Sequence, residues 1–476
     1  MKNETTDVLV VGGGLAGTAA ALFLAWHGVN VTVLEKHPGS SPHPRAIGYT
    51  ARTLELLRAV GLAEKVPQVP PDLRLRRIRV ESLTGPWFEE SAWTDAAPEL
   101  MPSPCTGAAI AQDRMEPILR ERAIELGADI RMGVAVTSVA QDADGVTVTA
   151  GDSQIRARYL IAADGHRSPI REQLGIGRSG RGPMRAMRSV LFQAPLERYL
   201  DRGIHQFQTP HGFLTTYNDG RWVLFLDDRE RSEAELRVAI ETAVGTPVPI
   251  TILTTGRWEL SALIADRFRE GRIFLAGDAA HTLPPSRGGF GANTGIEDAH
   301  NLAWKLAAVI RGAGEGLLDS YDAERRPIAW LRHDQIFARQ DYKAESAGHG
   351  AQTIYPDSAL ELGQLYRSNA VIGAGDDLPP AATPAAWCGQ PGTRFPHAWI
   401  APGLSTLDLL QRGWVVISDD DRWGPQTVRL DLHEQLGLHK GGAVLVRPDG
   451  YIAWRSIEMV DAPQVAIANA LATMLR

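Results

Sequence analysis

Residues 8–17 read Val-Leu-Val-Val-Gly-Gly-Gly-Leu-Ala-Gly, and Glu35 closes the valine-rich run Val29–Leu34. Four consecutive apolar residues make a buried strand, and the helix that follows opens on glycines. Gly12-x-Gly14-x-x-Gly17 thus has a strand before it, a helix after it and an acid at the end of the next strand. That is the context a dinucleotide fingerprint requires. Gly12 permits the tight turn, Gly14 lets backbone approach a pyrophosphate, and Gly17 lets helix and strand pack closely. Free N–H groups and the helix dipole favour negative charge at that helix start. Glu35 is the group that would accept hydrogen bonds from a ribose with a free 2′-hydroxyl.

The competing reading of Val8–Trp26 is a membrane span, since its length is about right. It carries four glycines, lacks a flanking basic cluster and runs directly into the next strand. A secretory leader fits poorly too, because Lys2, Glu4 and Asp7 precede the apolar run and no cleavage pattern follows. The expectation is a soluble, cytoplasmic protein without a membrane partner, as a monomer or homodimer.

With 476 residues the chain is long enough for two or three domains. A net charge of −7 argues against nucleic acid as a partner. Two distant cysteines, Cys105 and Cys388, exclude a disulfide scaffold, a zinc cluster and a CxxC redox pair. The thirteen histidines show no metal-binding spacing; His27, His37 and His43 read as surface residues, and no metal site is expected.

Residues 7–35 read as β-α-β, and 50–62 and 113–127 as helices ended by glycine. Alternating stretches at 129–132, 135–140, 146–150 and 155–162 suggest a meander and a return strand. Between 187 and 230 the pattern changes to short strands at 189–194, 204–208, 213–217 and 221–226. A helix near 232–244 and a strand near 250–256 follow. A buried strand returns at 272–276, then strong helices at 294–312 and 316–343. A Pro/Ala/Gly-rich linker at 373–392 precedes a small α/β module.

Two further motifs narrow the reading. One is Tyr159-Leu-Ile-Ala-Ala-Asp164-Gly165-His166-Arg167-Ser168. The other is Gly271-Arg-Ile-Phe-Leu-Ala-Gly277-Asp278, followed by Pro284-Pro285 and Arg287-Gly-Gly-Phe-Gly-Ala-Asn293. A strand ending in Gly277-Asp278 puts a carboxylate at the C-terminal edge of the sheet, where α/β proteins bind ligands. Together with the N-terminal fingerprint, these motifs resemble the class A FAD-dependent aromatic hydroxylases, which are single-component flavoprotein monooxygenases. The resemblance spans about residues 7–345.

That resemblance implies bound FAD, transient NADPH or NADH, and O2. Reduced flavin would form a C4a-hydroperoxide and pass one oxygen to an electron-rich ring, so the flavin carries the chemistry and no catalytic side chain is assigned. Asp278 would bond the ribityl chain, with Pro285 and Arg45 near the flavin. Gln112 would reach the ribityl or phosphate region, and Asp164 would contact FAD. Ala292 and Asn293 would offer backbone N–H groups at a helix start, where negative charge on reduced flavin is stabilised. Leu15, Ala16, Lys36, Val136 and Gly291 complete the expected cofactor contacts. A second GxGxxG is absent, as is the Trp-x-Trp-x-Ile-Pro signature of flavin-dependent halogenases.

The implied fold is α/β. A Rossmann-like FAD domain of the glutathione-reductase type occupies 1–180 and 262–372, with long helices at its C-terminal end. An antiparallel substrate sheet is inserted at 181–261, and a thioredoxin-like domain without CxxC occupies 385–476. Phe213, Tyr217, Trp222 and Phe225 are the expected substrate residues, with alternation placing Trp222 and Phe225 on opposite faces. The tail motifs, with Pro44-Arg45-Ala46, look most like enzymes that tailor aromatic polyketides in antibiotic biosynthesis, which points to a polycyclic phenol or quinone. Baeyer–Villiger insertion, epoxidation or oxidative rearrangement with the same cofactor stays open.

Overall fold

The computed structural model describes residues 2–43, 45–71, 76–92, 101–200, 204–285, 289–339, 353–410 and 412–476. Arg287 and Gly288 of the glycine-rich motif, residues 93–100 and the predicted helix end at 340–343 lie outside these. The valine-rich segments form a parallel sheet in the order Ile273–Leu275, Ser153–Ala162, Lys2–Val11, Val31–Glu35, Asp129–Met132. Continuous apolar runs suit a parallel sheet because helices cover both faces. Val8, Leu9, Val10 and Leu160–Ala162 are fully buried in the largest core cluster. The meander pairs antiparallel at Ser138–Gln141 and Val146–Ala150, so 135–137 of the expected strand stay outside it.

Helix Leu15–Trp26 packs against Phe290–Ile310 and Gln112–Glu125. Close approach at its start depends on small residues. A Cβ on Gly17 would lie 1.8 Å from the Gly12 carbonyl oxygen. Gly12 has φ +106°, and its Cβ would lie 2.2 Å from Ala163 O. At the other helix, Ala16, Gly277 and Gly295 meet, with a Cβ on Gly295 only 3.0 Å from Gly277 Cα.

The second sheet is wider than the segment 181–261. Its order is His281–Thr282, Thr251–Ala265, Arg178–Gln193, Arg221–Asp227, Gly212–Thr216, Ile204–Thr209, Arg76–Val80 and Trp87–Ala92. The last two strands come from the first half of the chain, and Arg76–Val80 pairs in parallel with Ile204–Thr209. Each flanks the cluster around Phe207, where Ile78 and Val80 bury apolar surface that a stand-alone edge would expose. Helix Glu233–Val244, opened by a Ser232/Glu235 capping box, covers the outer face of this sheet.

The tail is a four-stranded mixed sheet in the order Thr427–Arg429, Val415–Ser418, Ala443–Val446, Ile452–Ser456, with helix Pro463–Met474. The expected helix at 429–437 is only His433–Leu436, since Thr427–Arg429 pairs in parallel with Val415–Ser418. The module is thioredoxin-like, and both cysteines of the chain are free thiols. It is held to the rest by buried ions. Arg394 pairs with Glu55 at 2.5 Å, and Arg447 with Glu324 at 2.6 Å. Arg52 donates to Asp449 O at 3.0 Å and to Glu55 at 3.0 Å.

Among the described residues no helix is long and apolar enough to cross a membrane, and no cluster of His, Cys, Asp and Glu is arranged to hold a metal ion.

Candidate active site

The C-terminal edge of the parallel sheet faces the inner face of the second sheet across one cavity of about 1990 Å³. Both sheets contribute because the residues that end parallel strands and the alternate residues of antiparallel strands point into it. Gly12, Gly14, Leu15 and Ala16 form one end of its lining. Glu35, Lys36 and Val136 also line it, as do Arg45, Gln112 and Asp164. Asp278, Pro285, Gly291 and Ala292 complete the expected set on its walls.

Gly17 and Asn293 are not in the lining, for separate reasons. Gly17 faces Gly12 and acts through packing. Asn293 is fully buried; its Oδ1 accepts from Thr50 N at 3.0 Å and Thr53 Oγ1 at 2.6 Å. Its side chain clamps the helix start to residues 48–53, which leaves only its backbone for a ligand.

Several features fit a flavin dinucleotide. Helix Leu15–Trp26 starts at extended Gly14 with no side-chain cap and no acid in its first turn. Its N–H groups are left for an external anion. Glu35 Oε2 accepts from Gly13 N at 2.6 Å and Oε1 from His37 N at 2.8 Å, which fixes the carboxylate beside the fingerprint. Asp164 Oδ1 is buried without a hydrogen-bond partner, and burial raises this carboxyl above its ordinary value. Helix Phe290–Ile310 starts at Gly289, φ +58°, again with no side-chain cap and no acid in its first turn. Two uncapped helix starts at one cavity suit a pyrophosphate and an electron-rich ring.

Other polar groups position these elements. Gln112 Oε1 accepts from Arg45 N at 3.3 Å and Ala46 N at 3.2 Å, while its amide donates to Glu116 Oε1 at 2.7 Å. Gln112 therefore holds the Arg45 segment against the cavity. Arg45 Nη1 lies 4.0 Å from Asp278 Oδ2, and its guanidinium sits 5.6 Å from the Trp258 ring centre.

The roof of the cavity follows the strand alternation. Phe213 and Phe225, opposite each other across two strands, line it with ring centres 5.9 Å apart. Tyr217 lines it too, and burial pushes its phenol well up. Trp222 does not. It is fully buried on the outer face with Phe207 and Leu224, under helix Glu233–Val244. Its assignment as a substrate residue is corrected to core, because it lies three positions from Phe225 and so on the other side.

Four participants escaped the sequence reading. Asp298, fully buried, accepts from Gly277 N and holds the turn that carries Asp278. Trp258 lines the cavity between Phe225 and Arg45. His43 is buried, not a surface residue, and its Nε2 pairs with Ser189 Oγ at 2.8 Å, joining the Arg45 segment to the roof. Glu361 lines the far wall. A helix i,i+3 acid after Gly295 was the one available signal, for Asp298; the others depend on long-range contact.

A parallel nucleotide-binding sheet whose strand ends open under an antiparallel aromatic roof defines the flavin-dependent monooxygenase class. The chain belongs to the FAD binding domain family, whose model matches residues 5–335, and residues 388–476 match the aromatic-ring hydroxylase C-terminal domain. It is an FAD-dependent monooxygenase of the aromatic hydroxylase type. Among its relatives, tetracenomycin A2 monooxygenase-dioxygenase of Streptomyces glaucescens is 38% identical, covering 100% of this chain and 98% of that protein. Aklavinone 12-hydroxylase RdmE of Streptomyces purpurascens is 38% identical, covering 98% of each. The crystal structure of aklavinone-11 hydroxylase with FAD and aklavinone superposes with a TM-score of 0.89 at 35% identity, covering 100% of both chains.

Proposed function

We propose that this enzyme hydroxylates a polycyclic aromatic compound of polyketide type, with NADPH or NADH as the transient reductant. The carrying observation is the single cavity that joins the cofactor cleft to the aromatic face of Phe213, Phe225 and Trp258. Its size admits a flavin ring system and several fused rings together. The relatives that are hydroxylases of polyketides favour ring hydroxylation over insertion, epoxidation or rearrangement.

Bound FAD supplies reduction by the nicotinamide and activation of O2. The chain supplies position and field. Gly12, Gly14, Gly17 and the first turn of Leu15–Trp26, with Leu15 and Ala16, hold the pyrophosphate. Glu35, with Lys36 and Val136 beside it, holds the adenosine end. Asp164, Asp278 and Gln112 hold the chain between the two ring systems, with Arg45 above Asp278. Gly291, Ala292 and the Asn293 backbone would present N–H groups to a bound flavin, with Pro285 beside it in the cavity wall. Phe213, Tyr217 and Phe225 orient the substrate rings and keep water out. The working place of such an enzyme is the cytoplasm.

The test is anaerobic reduction of the FAD-loaded protein by NADPH and by NADH, with and without aklavinone, followed by aerobic turnover. Faster flavin reduction with the aromatic, and a product heavier by one oxygen atom, is the expected result. Reduction indifferent to any fused-ring phenol, with only hydrogen peroxide formed, rejects the reading.

A further inference from the structure

Helix Asp357–Leu362 forms the far wall of the cavity, which both Asp357 and Glu361 line. Ala359 and Leu360 pack in one apolar cluster with Leu283 and Phe290, beside Pro284 and Gly289, and with Met184 and Ala262 of the roof. The helix therefore meets the cavity where the start of helix Phe290–Ile310 and the roof come together. Its two acids differ in their partners. Asp357 accepts from Arg339 Nη1 at 2.6 Å. Glu361, half-buried in the cavity wall, has no hydrogen bond or ion pair among the described residues. The neighbouring cations are committed elsewhere: Arg332 to Glu297 at 2.6 Å and Thr294 Oγ1 at 2.7 Å, Arg339 to Asp357. A desolvated carboxyl with no partner is costly, and such groups concentrate where a ligand completes the hydrogen bond.

We propose that Glu361 is the polar anchor of the substrate cavity, donating its carboxyl proton in a hydrogen bond to a ring carbonyl oxygen of the ligand. This rests on the polycyclic-substrate reading above and specifies it: the rings carry a quinone or ketone oxygen at the end facing helix Asp357–Leu362. The charged surroundings support a donor. Burial, then the Asp357 charge, pushes the Glu361 carboxyl up to about 8; Glu297 adds to this, while Arg332 and Arg339 oppose it. Arg52 and Glu55, on the helix that also packs here, are paired with each other. At pH 7 the carboxyl holds its proton. As pH rises through about 8 the proton leaves, and the carboxylate then repels the carbonyl oxygen.

The probes are 9,10-anthraquinone and anthracene, the same three rings with and without carbonyl oxygens, neither of which titrates near neutrality. Binding to the FAD-loaded enzyme is read by tryptophan quenching from pH 6.5 to 9.5. The wild type is expected to prefer the quinone about tenfold at pH 7 and to lose that preference by about pH 9. Glu361→Leu is expected to lose it at every pH. Glu361→Gln, which keeps a donor but cannot ionise, is expected to keep it at every pH. A wild-type preference that survives in Glu361→Leu, or a pH-dependent loss that survives in Glu361→Gln, overturns the anchor and leaves the polycycle reading intact. If neither probe nor aklavinone binds the flavin-loaded wild type, both fall.

Discussion

The carboxylate of Asp298 accepts a hydrogen bond from the backbone N–H of Gly277 at 3.2 Å. The same oxygen pairs with His281 Nε2 at 2.7 Å, and the other accepts from Arg325 Nε at 2.8 Å. Burial opposes ionisation of Asp298, but His281 and Arg325 outweigh it and hold the carboxyl below its ordinary value. A buried acid on helix Phe290–Ile310 thereby sets the turn on which Asp278 stands. Asp298→Ala should leave the buried Gly277 N–H and the Arg325 Nε–H without their acceptor, with Glu297 as the remaining carboxylate on Arg325, at a cost of about 1–3 kcal/mol. FAD affinity should fall with it. Denaturant unfolding and flavin titration check both effects, and full FAD affinity in a stable Asp298→Ala variant would contradict the assignment.

Gly17 is tested by one methyl group. With its Cβ placed 1.8 Å from Gly12 O, Gly17→Ala must move the helix start off the strand. The variant should purify colourless. The ratio of visible to ultraviolet absorbance is the readout, and a yellow Gly17→Ala protein with wild-type flavin content refutes the packing argument.

Trp222 and Phe225 lie on one strand and should separate cleanly. Trp222→Ala opens the outer core and should lower stability by about 3–5 kcal/mol, without changing the affinity of folded protein for aklavinone. Phe225→Ala, half-buried at the cavity, should leave stability nearly unchanged and weaken aromatic binding roughly tenfold. Urea unfolding and ligand titration on both variants decide the matter; the opposite pattern would place Trp222 in the cavity.

Acid should loosen the C-terminal module. Burial resists ionisation of Glu324, but the Arg447 and Lys305 charges outweigh it and hold its carboxyl well below the ordinary range. Asp449 is lowered against its burial by Arg447, and Glu55 against its burial by Arg394 and Arg52. Carboxyls with depressed native values add stability above their unfolded value, near pH ~4, and lose it as pH falls further. The contribution of these three carboxyls should therefore be level from pH 8 to 5 and drop steeply below pH ~4. In Arg447→Met, which leaves Glu324 with Lys305 alone and removes the cation paired with Asp449, the drop should begin at higher pH. Thermal melting across the pH range measures it, and an unchanged acid profile in Arg447→Met would reject the latch.

The part of the cavity wall built by the glycine fingerprint was readable in advance because it rests on local geometry. Strand, glycine turn, helix start and terminal acid occupy consecutive residues, so Gly12 through Glu35 carry their own spatial arrangement. Asp164 and Asp278 were readable for the same reason, each being the acid that ends a buried strand. Period-two alternation even separated Trp222 from Phe225, though it could not say which face looked into the cavity. Helix Glu233–Val244 answers that by covering the Trp222 face.

What spacing could not reach were partners far apart in the chain. Arg76–Val80 joins a sheet formed more than a hundred residues later because its apolar side chains complete the Phe207 cluster. His43 meets Ser189, and Asn293 meets Thr50 and Thr53, only once the domains have closed on each other. Glu361 reads in the sequence as an ordinary helical acid. It stands alone in the cavity wall because folding withdraws water and assigns the nearby arginines to other carboxylates. Local backbone chemistry is written in the order of residues, whereas desolvation and the competition for charge exist only after distant segments share one interior.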